Sequence, residues 1–196
     1  MAGLNKSDPR GTSATTGKET TLAGDKSSVK PSSAASSSAT PSVVMVTQAT
    51  HTDIPDVCAL YKRVWDEFKG KLPDELIKTW EPSPLEFTSW MEGVTYFAAR
   101  RDKKLVGIVA CTPNDGAVQI EHLAVDPESR RLDVGTSLVN AAIEWSRRSN
   151  ANSIWAETLE IFEGAIHLFQ KLGFKPCGEL HRHFWNQDVH VLERVL

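Results

Sequence analysis

The tripeptide Asn114-Asp115-Gly116 constrains this chain more than any other feature. Asp-Gly between two apolar runs supplies the positive backbone angles of a tight hairpin. The runs are 105–112 and 117–125, both rich in Val, Ile and Ala. A third β-rich run, 94–100, precedes them across a turn at Asp102-Lys103, so the three read as a meander. After Pro127 comes a basic loop, Arg130-Arg131-Leu132-Asp133-Val134-Gly135. It feeds an amphipathic helix, 136–148, with Leu138, Val139, Ala142 and Ile143 at helical spacing.

The flanking segments complete the pattern. Val43-Val44-Met45-Val46 opens a short strand. Asp53-Ile54-Pro55-Asp56 starts a helix with an Asp cap and Pro in the first turn, and Gly70 and Pro73 end it. A short helix is expected over 74–80, and Ser83-Pro84-Leu85-Glu86 is a capping box for another that stops before Gly93. A strand over 153–157 and a helix over 163–172, stopped by Gly173, lead to a hairpin of 174–184 and 188–195 around Asn186-Gln187. With the short 74–80 segment left aside, the order β-α-α-β-β-β-α-β-α-β-β predicts a mixed α/β fold. Its central sheet has about seven mostly antiparallel strands, with helices on both faces.

Residues 1–42 differ in kind from the rest. Ten are Ser and six Thr, and the large apolar residues are only Met1, Leu4, Leu22 and Val29, too few to offset the entropy of ordering. A disordered Ser/Thr/Ala-rich tail, 1–42, and one folded domain, 43–196, are expected. The domain holds 17 basic and 22 acidic residues, which argues against a nucleic-acid partner. No apolar run approaches the ~18 residues of a membrane span, and the N-terminus lacks the order of a signal peptide. Cys58, Cys111 and Cys177 form no Cys-x-x-Cys pattern, so neither a disulfide framework nor a metal site is expected, and a cytoplasmic location follows.

The stretch Ile120-Glu121-His122-Leu123-Ala124-Val125-Asp126-Pro127-Glu128-Ser129-Arg130 resembles the fourth strand and following turn of the GNAT superfamily of acyl-CoA-dependent N-acyltransferases. The loop 130–135 is similar to that family's pyrophosphate loop, Gln/Arg-x-x-Gly-x-Gly. Residues 165–174, ending in Leu172-Gly173-Phe174, are similar to its last helix and the strand after it. The resemblance covers most of 43–196. It implies an N-acetyltransferase that moves an acetyl group from acetyl-CoA, a co-substrate, to a primary amine by direct transfer. It further implies that Leu123 and Val125 bind the pantetheine arm through backbone groups. Arg130, Arg131, Val134, Gly135 and Thr136 would bind the pyrophosphate, and the Val125 N–H would face the thioester oxygen. Physics favours the loop independently, since a helix N-terminus presents unpaired N–H groups and a positive dipole end. The partners implied are a small-molecule or peptide amine acceptor, with a homodimer as a permitted assembly, and no membrane.

Three positions depart from the family pattern. Asp133 stands at the first loop glycine, and Asp tolerates left-handed backbone. Phe162 replaces an Asn, and Phe169 replaces a Tyr that serves many members as general acid. These departures support an alternative, a weak or inactive CoA-binding protein of the same fold. A third reading is an unrelated α/β domain.

Glu121 and Glu157 are the candidate general bases, beside a water chain, and a carboxylate base works near neutrality only with a raised pKa. Strict alternation puts Glu121 on the face of Val125 and His122 on the other. Trp65, Phe68, Trp80, Trp90, Phe184 and Trp185 are candidates for an acceptor wall, Trp80 and Trp185 foremost. A turn at Asn186-Gln187 would pair His183 with His190 and bring His181 to the same face. A sheet surface explains those three better than a metal does, and no metal is expected.

Overall fold

A computed structural model describes residues 43–196; the expected tail, 1–42, lies outside the described residues. The strands are β1 (Met45–Gln48), β2 (Thr95–Arg101), β3 (Lys104–Asn114), β4 (Ala117–Val125), β5 (Ser153–Leu159), β6 (Lys175–Phe184) and β7 (Gln187–Val195). The helices are α1 (Ile54–Asp66), α2 (Asp74–Trp80), α3 (Pro84–Trp90), α4 (Val134–Arg148) and α5 (Glu163–Lys171). The seven strands form one sheet in the order β1-β2-β3-β4-β5-β7-β6. Every neighbouring pair is antiparallel except β4 and β5. The fold is the mixed α/β architecture that the element order predicts.

Alternation along the strands builds two cores. Tyr96, Ala98, Ile108 and Ala110 pack on one face with Val57, Leu60 and Tyr61 of α1 and Phe87 of α3. Phe97, Ala99, Val109 and Cys111 pack on the other with Leu138, Val139 and Ile143 of α4 and Phe169 of α5. A third cluster, Leu72, Leu76 and Ile77, seats α2 against Trp65, Phe68 and Phe162. Among the described residues no helix is long and apolar enough to cross a membrane.

Two hairpins show how turn chemistry sets register. Asp115 and Gly116 take φ 45° and 86°, the angles that Asp-Gly is chosen for. In the last hairpin the positive angles fall on Trp185 and Asn186, φ 52° and 60°, and Phe184 pairs with Gln187. The turn is therefore one residue earlier than expected, because Asn186 serves the second turn position rather than the first. Leu180 pairs with Val189, so residues 181–183 bulge opposite the single residue Asp188, whose Oδ1 accepts the Arg182 N–H at 2.6 Å. His190 consequently faces Glu179, not His183.

The feature that opens a site is the junction of the two parallel strands. Residues 117–120 of β4 pair with 153–156 of β5, and the pairing ends at Ile120–Ala156. Beyond it the two strands separate.

Candidate active site

The separation of β4 from β5 leaves a cleft of about 1200 Å³. It runs from the N-terminus of α4, past the free edge of β4, to a group of aromatic rings. Its chemistry depends on a bulge. Ala110 pairs with Glu121 and Ile108 with Ala124, so His122 and Leu123 together oppose Val109. The extra residue is His122, at φ 53°. The bulge shifts the alternation by one. Glu121 lies on the Ala110 face with α1 and α3, whereas Val125, opposite Gly107, packs with the α4 and α5 core. Glu121 and Val125 therefore do not share a face. Nor does His122 face away from Glu121, since its ring stacks on Trp90 of α3 at 4.7 Å.

The bulge is clamped from three elements. The Tyr61 hydroxyl of α1 donates to the His122 carbonyl at 2.9 Å. The Tyr96 hydroxyl of β2 lies 2.6 Å from His122 Nδ1. Trp90 covers the ring. These are the chain's two tyrosines, and a buried tyrosine hydroxyl seeks a partner; that is the signal by which sequence reasoning could have found the clamp. Burial holds the His122 pKa below its ordinary value, against the opposing charge of Glu121, so the imidazole is neutral at pH 7. Burial likewise raises both tyrosine hydroxyls, which stay protonated. Glu121 Oε2 accepts the Thr112 hydroxyl at 2.5 Å.

The strand edge is set by its other end. The Asp126 N–H donates to the Val106 carbonyl at 2.9 Å, toward β3. Successive amides of an extended strand point to opposite edges. The Val125 N–H thus points into the gap left by β5, and Leu123 shares that direction. Asp126 is 1% exposed and anchors the turn. Arg63 of α1 donates to its Oδ2 through Nε at 3.0 Å, and the Lys104 ammonium lies 3.6 Å from the same oxygen. Burial raises the Asp126 pKa, but the Arg63 bond, the Glu128 N–H and the two cations outweigh it and leave it lowered.

The basic loop wraps the start of α4. Arg131 and Asp133 both take left-handed backbone, φ 61° and 58°, so the glycine position of the family loop keeps its conformation with Asp. The first amides of α4, from Val134 to Thr136, have no carbonyl one turn behind them. Gly135 lets α4 approach α5, since a Cβ there would stand 2.9 Å from Leu168 Cδ2. Arg131, Val134, Gly135 and Thr136 line the cleft. Arg130 lines it too, but its guanidinium is engaged by Glu67 at 2.6 Å, a partner invisible in the sequence.

Glu157 also lines the cleft. It pairs with Val191 of β7, and its neighbour Ala156 belongs to the α4 and α5 core. Alternation therefore puts Glu157 on the Glu121 face. Phe162 caps α5 among Trp65, Phe68 and Trp80, and Phe169 is 3% exposed against Phe174. Trp80 and Phe184 reach the cleft. Trp185, expected beside them, sits instead at the hairpin turn, 46% exposed, and does not line it, because the turn angle at that residue carries its side chain away. Glu179, His181 and Asp188 bring ligand atoms within 4.8 Å of one another, but none of the three lines the cleft.

Residues 57–174 match the model of the acetyltransferase (GNAT) family. Human N-acetyltransferase 8B is 30% identical over 111 residues, 53% of this chain and 49% of that protein. The probable N-acetyltransferase camello of Xenopus tropicalis is 30% identical over 87 residues, 43% of this chain and 40% of that protein. The chain thus spans about half the length or less of these relatives. Among solved structures, the PaiA N-acetyltransferase of Thermoplasma acidophilum, in complex with coenzyme A, superposes with TM-score 0.68 at 13% identity. That match covers 79% of this chain and 99% of that one, and shows likeness of fold.

Proposed function

The chain belongs to the acetyltransferase (GNAT) family, and we propose that it transfers an acetyl group from acetyl-CoA to the nitrogen of a primary amine. One observation carries the reading. A helix N-terminus, an inward-pointing strand amide and a carboxylate meet in one cleft where β4 and β5 part.

Acetyl-CoA supplies an acetyl group activated as a thioester, and the C–N bond forms as the C–S bond breaks. The chain's residues fit it. The left-handed turns at Arg131 and Asp133 curl the loop around the start of α4, and the amides of Val134, Gly135 and Thr136 suit a pyrophosphate. Arg131 adds positive charge, and Arg130 joins it by leaving or sharing Glu67. Leu123 and Val125 offer strand-like backbone bonds to the pantetheine arm. The Val125 N–H donates to the thioester oxygen as charge grows there, an interaction worth ~2.7–4 kcal/mol in comparable oxyanion sites.

An alkylammonium with a pKa near ~10.4 must lose a proton before its nitrogen attacks. Glu121 takes that proton, directly or through water, with Glu157 as the second carboxylate of the same face. Phe169 has no proton to give. A thiol of pKa near ~8.5 leaves well enough as thiolate to make a positioned acid dispensable. The unpaired thiols of Cys58, Cys111 and Cys177 suit a reducing, cytoplasmic setting.

The test is calorimetric binding of acetyl-CoA followed by mass spectrometry of a panel of amines. Acetylated amine and free CoA in equal amounts are expected. Binding without any acetylated amine contradicts the reading.

A further inference from the structure

We propose that the acceptor is a primary amine carried on a flat apolar group, held by ring stacking, rather than a polyamine or an amino sugar. The proposal rests on the transferase reading and adds the class of acceptor.

Five rings from four segments meet at the end of the cleft away from the α4 loop. Trp65 of α1 lies 4.6 Å from Trp80 at the end of α2. Phe68, just past α1, meets Phe162 edge-on at 5.1 Å. Phe184 of β6 stacks on Trp80 at 5.6 Å, with 18° between the ring planes. All five back onto the Leu72, Leu76 and Ile77 cluster and are only half-buried. Phe87 and Tyr96 in the core are each 1% exposed, whereas all five keep open surface and line the cleft. Open aromatic area in a concave site is surface that gains by being covered. An added ring joins such a group with offset or edge geometry.

Charge selects against the other acceptor classes. Among the described residues that line the cleft, the carboxylates are Glu121, Glu157 and Asp133. Asp133 belongs to the α4 loop, and the two glutamates sit where the strands part. A polyamine's remote ammonium groups would be drawn to ring faces, but they would meet there the like charge of Lys71, whose ammonium already lies 5.8 Å from the Phe68 ring centroid. An amino sugar's hydroxyls would meet rings in place of hydrogen-bond partners, and leaving them unpaired is costly. An amine on a flat apolar body places its ammonium toward Glu121 and its body against Trp80 and Phe184.

The experiment measures kcat/KM at saturating acetyl-CoA for 2-phenylethylamine and tryptamine against spermidine, glucosamine and a lysine-containing peptide. The two aryl amines are expected to exceed the other three by about tenfold or more. Trp80→Ala should raise KM for 2-phenylethylamine about tenfold while kcat for that amine changes far less, and Trp80→Phe should recover most of the loss. Turnover with equal or better use of spermidine, glucosamine or peptide overturns the acceptor class alone. So does a folded Trp80→Ala with unchanged KM. Binding of acetyl-CoA with no transfer to any of the five overturns this proposal and the transferase reading together.

Discussion

Glu121 and Val125 stand four residues apart on β4 and present their side chains to opposite faces of the sheet, because His122 adds one residue between them at φ 53°. The bulge divides the labour of the strand. Below the sheet gap, Val125 packs with α4 and α5 and turns its N–H into the opening. On the other face, Glu121 meets the side from which α1 and α3 pack. In the proposed reaction, a base placed there would act on the acceptor while the strand edge would hold the donor.

That division predicts separate losses. Glu121→Gln keeps the shape and the Thr112 contact but removes the proton acceptor, so kcat should fall by roughly 10²–10⁴-fold. Calorimetric affinity for acetyl-CoA should stay as in the parent chain. A parallel fall in affinity would move Glu121 out of the acceptor side of the site.

His122 ties stability to pH. Its folded-state pKa is lowered by burial beneath the ordinary 6.5. Above pH 6.5 the imidazole is neutral in both states. As pH falls below 6.5, the unfolded chain binds a proton that the folded chain refuses, and stability declines until the folded-state pKa is reached. His122→Asn suits the left-handed backbone and should flatten the melting temperature between pH 6.5 and 5. An unchanged slope in thermal melts would remove His122 as its source.

A Cβ at Gly135 of α4 would stand 2.9 Å from Leu168 of α5, so Gly135→Ala should cost roughly 1–3 kcal/mol through that contact. Shortening the neighbour, in Gly135→Ala with Leu168→Ala, should cost less than the sum of the single changes. Denaturant melts of the four chains decide this. Strict additivity would show that the two residues do not touch.

Arg63 and Asp126 join α1 to the turn before the α4 loop. Arg63→Ala strips the buried carboxylate of its main donor, a loss of roughly 1.5–3 kcal/mol, moderated because Arg63 is 40% exposed and Lys104 remains near. The Asp126 pKa is lowered by folding, so this contribution is full above the ordinary 3.8 and fades as pH drops through the folded value. Urea melts should show a smaller effect of the variant at pH 3 than at pH 7.

Much of this was legible in the chain. α2 fills 74–80 as read, and Asp115-Gly116 and Gly173 take the left-handed angles that their chemistry suits. Asp133 does so too, where a glycine was expected from the family loop. What escaped reading is long-range. Alternation assumes one residue per partner, and the β4 bulge is fixed by Tyr61, Tyr96 and Trp90, far off in sequence. Asn186 fits either turn position, so the turn type was readable and its register was not. The Glu67 hold on Arg130 joins the end of α1 to the loop across the fold, and no local pattern announces it.

The most direct test of the transferase account is amine-dependent release of CoA thiol from acetyl-CoA, followed across pH 6–9 in the parent chain and in Glu121→Gln. Release should require amine, equal the acetylated product, and be depressed throughout the range by the substitution. Release no faster with amine than without it, or equal rates in the two chains, would contradict that account.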